Sequence, residues 1–356
     1  MSDDKIDVAM QAAWEALESG DIDGARKAAS ALKSEEAAAM EIVMLEAACD
    51  REEGNVESAL ARLTKAAETD PDWCTPELWM AEILADVPGG QAEALRHARK
   101  AVDLADDEDE FLAAIGCKAA IELEMDRPAD ARATLKELPS ADVPLDDPMV
   151  ALEFAHLLAE AENLDEAKKR LDVLVDGHPD FSDAWYLQGV LAERAGDEKA
   201  KVTAWLKTRE LDLADADAPG HSHSHDGEGG HDHDHGDCLH LSESDVASIA
   251  EETLEAIPEE LRNLLRDVPV IVADLPAAAD VQQGADPRAL GLFHGATQAE
   301  QSAQPALTEI VLYRKNIERV AHDEESAREE VETTLLHEAG HFFGLDEKTL
   351  ARLGLE

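Results

Sequence analysis

Thr333–Gly344 reads T-T-L-L-H-E-A-G-H-F-F-G and runs on into Leu345, Asp346 and Glu347. His337 and His341 are four residues apart, so on a helix both imidazoles leave one face about a turn apart. Two nitrogens so placed suit one tetrahedral zinc. Glu338 follows the first histidine, where a carboxylate can reach a metal-bound water rather than the metal and serve as general base. Gly344 lets the chain leave the helix through a left-handed turn. That turn is expected to bring back Glu347, or its neighbour Asp346, as third ligand. Leu335, Leu336, Phe342 and Phe343 predict apolar surroundings, where two neutral histidines and a glutamate are costly unless something satisfies them. The plain alternative is an amphipathic helix whose histidines are simply hydrogen-bonded.

The chain has 356 residues, enough for two or three cored domains. It carries 81 acidic against 31 basic residues, a formal charge of −50. Such a surface repels nucleic acid and anionic membranes, which are excluded as expected partners. Met1-Ser-Asp-Asp-Lys lacks an apolar core, so no secretory signal is expected. No apolar run reaches the roughly 18 residues a membrane span needs. Cys49, Cys74, Cys117 and Cys238 show no paired spacing, and Cys49 and Cys117 lie in apolar helical stretches. Their pattern predicts core thiols in a reducing cytoplasm, without a disulfide framework.

From Ile6 to about Leu213 the sequence is rich in Ala, Leu and Glu. Turn-like residues recur at Gly20, Gly54, Gly90, Asp126, Asn163 and Gly196, at spacings of 34, 36, 36, 37 and 33. A small residue follows each turn, at Ala25, Ala59, Ala94, Ala131, Ala167 and Ala200, as close approach of two helices requires. Asp70-Pro71 and Pro179-Asp180 punctuate the units. Leu164-Asp-Glu-Ala-Lys-Lys-Arg-Leu, followed by His-Pro-Asp-Phe-Ser-Asp-Ala-Trp-Tyr, is the clearest copy. These features resemble tetratricopeptide repeats, as five or six degenerate helix pairs over residues 1–213. The resemblance implies a concave surface that captures a peptide or protein partner; the alternative is a spacer or scaffold. His97, His156 and His178 are isolated and carry no expected chemistry.

Residues 214–240 change character. His221, His223, His225, His231, His233 and His235 alternate with Ser, Gly and Asp, and seven of the 14 histidines lie between 221 and 240. The composition predicts a flexible linker whose histidines capture metal weakly. It is expected to gather zinc beside the C-terminal motif.

Residues 241–356 read as a small α+β domain. Ser242 opens a helix that Pro258 interrupts; Val268–Asp274, Leu290–Gly295 and Glu309–Arg314 read as strands of a mixed sheet; Asn316–Ala321 reads as a short helix. Glu325 begins the helix that carries the motif. Between the first two strands a Gly/Ala/Asp-rich loop is expected. The order A-I-P-E-E-L-R, V-P-V-I-V, L-G-L-F-H-G, I-V-L-Y-R, I-E-R, L-L-H-E-A-G-H-F-F-G-L-D-E resembles the minimal zincin-like metallopeptidases, whose pattern is H-E-x-x-H-x-x-G-x-x-D/E. The resemblance implies a zincin fold with one catalytic zinc, and His337, Glu338, His341 and Glu347 as site residues. No methionine follows the motif, since the last is Met149, so the turn that marks metzincins is missing. Strands 290–295 and 309–314 are candidates to pair with an extended substrate, and Tyr313 and His294 are candidate oxyanion donors.

The expected architecture is thus an all-α repeat solenoid followed by a small α+β zincin-like domain. Three readings compete: a zinc peptidase whose repeats recruit protein, an adaptor with a structural or degenerate zincin domain, and a metal buffer working through the histidine tract.

Overall fold

The computed structural model describes residues 3–32, 39–141, 143–216, 239–295 and 309–353. The histidines 221–235 and Cys238 lie outside the described residues.

Twelve helices come first, in six consecutive pairs. They are α1 (Asp3–Glu18) with α2 (Ile22–Leu32), α3 (Ala39–Glu52) with α4 (Val56–Thr69), and α5 (Cys74–Ala85) with α6 (Gln91–Leu104). Then follow α7 (Glu108–Glu124) with α8 (Pro128–Thr134), α9 (Pro148–Glu160) with α10 (Leu164–Gly177), and α11 (Ser182–Arg194) with α12 (Glu198–Ala216). This is a tetratricopeptide-like array. Ala25, Ala59, Ala94, Ala131 and Ala167 are fully buried where the second helix meets the first. Ala200 is only half-buried, and Ala204 takes the buried place on α12.

The turns correct two expected positions. The left-handed residues are Gly89 and Glu162, each one before the residue read from sequence. Gly90 instead precedes α6, where a Cβ would lie 2.2 Å from the Leu84 carbonyl oxygen, so it is glycine for space.

The chain falls into two compact units, one running to Leu174 and the other from Val175 onward. In the first, the leading helices of successive pairs touch one another, α1 on α3, α5 on α7 and α7 on α9. The second contains α11 and α12 together with the whole α+β segment.

That segment begins with α13 (Glu243–Ala256), capped by Ser242 through a reciprocal box with Asp245. It continues through α14 (Glu259–Leu265), β1 (Val270–Ala273), α15 (Ala278–Gln282), β2 (Gly291–His294) and β3 (Glu309–Tyr313). The last three helices are α16 (Arg314–Val320), α17 (Glu324–Phe342) and α18 (Glu347–Leu353). Short α15 lies where only a loop was expected, and α18 follows the motif helix that the sequence presents as the last.

The sheet order is β1-β3-β2, with β1 parallel and β2 antiparallel to β3. Being the middle strand, β3 is buried on both faces, Ile310 to Tyr313 without a break. Strand 309–314 is therefore no edge for a substrate. Only β2 remains of the two candidates.

Ile310 and Leu312 point into a core shared with Val246, Ile249 and Ala250 of α13 and with Val331, Leu335, Ala339 and Phe342 of α17. The α17 residues recur at helical spacing, and burial of each larger side chain contributes about 1.5–3 kcal/mol. Among the described residues, no helix is long and apolar enough to cross a membrane.

Candidate functional site

Helix α17 is fixed at both ends. Asp323 caps its start, accepting from the Ser326 amide at 2.8 Å, and Glu324 and Glu325 sit favourably in the first turn. At its end Gly344 takes φ +78°, the Gly344 amide donates to the His341 carbonyl at 2.9 Å, and the Leu345 amide to that of Gly340 at 3.0 Å. These are the two bonds of a Schellman cap, the sharp exit read from Gly344.

Between those ends, the Nε2 atoms of His337 and His341 stand 2.9 Å apart, with ring centroids at 4.7 Å and planes at 77°. At that separation one ring must donate and the other accept. A cation between them would take both lone pairs instead. Two nitrogens on one tetrahedral zinc are roughly 3.3 Å apart for Zn–N bonds of about 2.0–2.1 Å. The pair fits such an ion with a small opening of the rings.

Glu338 is 8% exposed, with its stem against β2. A Cβ at Gly291 would lie 3.2 Å from Glu338 Cγ and 2.6 Å from Thr334 Cγ2. Only glycine in the first position of β2 admits the helix so closely. Phe293, two residues on, packs its ring 6.1 Å from that of Phe342. The catalytic candidate is thus wedged between α17 and the edge strand.

Asp346 Oδ1 accepts from the Thr349 amide at 3.0 Å, which makes Asp346 the cap of α18. Hydrogen bonds from Thr349 hold its carboxyl below the usual range. The side chain of Glu347 lies outside the described residues. The one trio of potential ligand side chains that converges among the described residues is Asp106, Asp107 and Glu110. Helix capping accounts for it, since Asp107 accepts from the Glu110 amide at 2.8 Å.

On the opposite face of the sheet, His294 Nε2 lies 3.6 Å from Asp280 Oδ2 of α15. Tyr313 is buried, and burial, followed by the charges of Asp280, Glu338 and Glu309, pushes its phenol upward and keeps it protonated.

No local pattern in the sequence announces the cluster that anchors β2. Asp212 of α12 accepts from Arg288 Nε at 3.2 Å and from Arg319 Nη1 at 2.9 Å. Arg288 also pairs with Asp183 at 2.6 Å and lies 4.6 Å over the Tyr186 ring, whose hydroxyl donates to Asp286 at 2.9 Å. Asn316 Nδ2 donates to the carbonyls of Pro287 at 3.0 Å and Ala289 at 2.7 Å. Burial alone would raise the Asp212 carboxyl, but the hydrogen bond from Arg319 and the charge of Arg288 outweigh it and hold the group low. The backbone leading into the edge strand is therefore gripped from both sides.

With this geometry in place, residues 265–355 match the zincin-like metallopeptidase family. The zincin-like segment so defined takes in the sheet, the motif helix and both histidines. No curated relative matches the chain. Among solved structures, the helical part is similar to PilW, a type IV pilus biogenesis factor, at 15% identity and a TM-score of 0.46, over 59% of this chain and 94% of that one. It is similar to pilF of Pseudomonas aeruginosa at 19% identity and a TM-score of 0.45, over 59% and 92%. A tetratricopeptide repeat protein of Parabacteroides merdae gives 15% identity and 0.40, over 59% and 86%.

Proposed function

We propose that the chain is a cytoplasmic zinc-dependent peptidase, with residues 241–356 as the peptidase domain, 1–213 recruiting a protein substrate or partner, and 214–240 a linker that captures metal weakly. The observation that carries this reading is the convergence of His337 and His341 nitrogens at 2.9 Å beside a Glu338 locked against an edge strand. His337 and His341 would hold the zinc, with Glu347 as third ligand and Asp346 as the alternative; the capping role of Asp346 favours Glu347. When bound, zinc supplies a Lewis acid that lowers the pKa of water toward neutrality.

Glu338 takes the proton of the attacking water and returns it to the departing amine. Its burial keeps bulk water from competing for the carboxylate. β2 offers its outer edge to an extended substrate, whose backbone pairs there as an added strand.

The test uses the full chain with residues 221–235 replaced by Gly and Ser, so that the tract does not obscure the count. One zinc per chain, lost in His341→Ala, is expected. Glu338→Gln is expected to keep the zinc and lower peptide hydrolysis by about 10²–10⁴-fold. A chain that binds no zinc would favour the adaptor, and several weakly held ions in the unaltered chain, with Glu338→Gln without effect, would favour the metal buffer.

A further inference from the structure

The repeat unit departs from its own pattern at one place. Helix α8 has only 7 residues, where α2, α4 and α6 have 11 to 14, and a 3₁₀ turn at Leu135–Glu137 follows it. A cavity of about 650 Å³ lies between α7, α9 and residues 143–147. That volume falls within the range of ligand sites.

Its floor is apolar, formed by Leu112, Val143, Leu145 and Phe154, with Val143 53% exposed. Its rim carries Glu108, Asp109, Asp146, Asp147 and Glu153, and among the described residues no Lys or Arg lines it. Local structure explains some of these acids. Asp147 caps α9 through the Met149 amide at 2.7 Å, and Glu108 and Asp109 lie in the first turn of α7.

Glu153 has no such role. It sits in the middle of α9 and leans across the groove onto α7, where a Cβ at Gly116 would lie 3.3 Å from its Oε1. Burial pushes its carboxyl up. The same desolvation, eased only partly by Arg51, raises Glu82 on α5. Cys117, beside Gly116, is driven to about 12 by burial and then by Glu82, Glu124 and Glu153. Glu153 remains exposed at the groove, and the gathering of Glu82, Glu124 and Glu153 around Cys117 concentrates negative charge that favours an incoming cation.

We propose that this groove binds a partner segment in which Lys or Arg flanks a large apolar side chain, the apolar group on the Val143–Phe154 floor and a cation on Glu153. The proposal rests on the reading that the repeats recruit protein, and it names the chemistry of what they recruit. The chain's overall charge of −50 attracts any cationic peptide, so the discriminating feature is the demand for apolar and basic groups together.

The experiment measures fluorescence anisotropy of the full chain with three labelled peptides at physiological salt. One alternates Arg with Leu and Phe, one alternates Arg with Gly and Ser, and one carries Glu in place of every Arg of the first. Only the first is expected to bind well, at least tenfold tighter than the second. Glu153→Gln should weaken it about five- to tenfold and Val143→Ser about threefold. Equal binding of the first two peptides would overturn the proposal, as charge alone would then suffice. Equal affinity of the first peptide for the parent and both variants would also overturn it, while leaving recruitment elsewhere on the array intact. Zinc content and hydrolysis, read on the same preparations, report separately on the peptidase reading.

Discussion

Two glutamates in this protein lie over a glycine on a neighbouring element, and they are held very differently. Glu338 presses its stem on Gly291, where the nearest atoms to a Cβ would be the Thr334 methyl at 2.6 Å and the Val311 carbonyl oxygen at 3.1 Å. At Gly116 a Cβ would lie 3.3 Å from a carboxylate oxygen of Glu153, and the next atoms would be of the Phe154 ring at 3.7 Å. The first glutamate is buried and meets its glycine with a stem carbon, whereas the second is exposed and meets its glycine with the carboxylate tip. A general base needs a fixed reach, because misplacement by about 1 Å is costly in rate. A docking carboxylate gains from freedom to follow its ligand.

The firmness on the Glu338 side traces to Asp212, and its removal is the strongest way to break the contrast. Asp212→Ala leaves half-buried Arg319 without this carboxylate and Arg288 with Asp183 alone, and loss of about 3–5 kcal/mol is expected in a denaturant titration. The group's acidity gives a second readout. Its folded pKa is depressed, so its stabilising contribution is complete above the unfolded value of 3.8 and is lost as pH falls through the folded one. Acid unfolding below pH 3.8 should therefore lose this component in Asp212→Asn. An unchanged acid limb would show that the arginines do not depend on Asp212.

Next in size is Gly291→Ala. The added methyl meets the Thr334 methyl and a backbone carbonyl, neither of which can swing aside cheaply. Overpacking should cost about 1–3 kcal/mol. Hydrolysis should fall by on the order of 100-fold as Glu338 is displaced, with zinc still bound. Adding Thr334→Ser removes the methyl that clashes and should restore part of both losses. No recovery in the double variant would mean that Gly291 acts through something other than this contact.

What could be read from sequence follows the range of the interactions. The His337–His341 pair and the cap at Gly344 depend on residues within one or two turns, and both are where the spacing puts them. The three strands were legible as apolar runs. Which of them lies in the middle is also written there, since Ile310-Val-Leu-Tyr313 is apolar on both faces, and this excludes 309–314 as the edge it was offered as. Helix α15 has only 5 residues and gave no period to detect. The turn at Glu162 is read one residue late, at Asn163, because Asn is the better turn former by type, whereas Gly89 and Gly90 are the same residue and type alone does not say which turns left-handed. The clamp joins Asp212 to Arg288 and Arg319 across 76 and 107 residues, and no local pattern announces such a pairing.

Gly116→Ala carries the smallest expected effect and is the sharpest test of the comparison. Replacing a mid-helix glycine by alanine favours the helix by about 1 kcal/mol. Among the described residues the nearest atom to the added methyl would be Glu153 Oε1, which can turn away toward the groove. The gain and the adjustment nearly cancel, so the midpoint of unfolding should stay within about 1 kcal/mol of the parent or rise slightly. Affinity for the Arg-Leu-Phe peptide should still shift by a few fold, because the carboxylate that meets the cation has moved. Destabilisation as large as that of Gly291→Ala would mean that Glu153 is held as rigidly as Glu338. A rigid Glu153 would be a packing residue, and the difference between a placed base and an adjustable docking group would disappear.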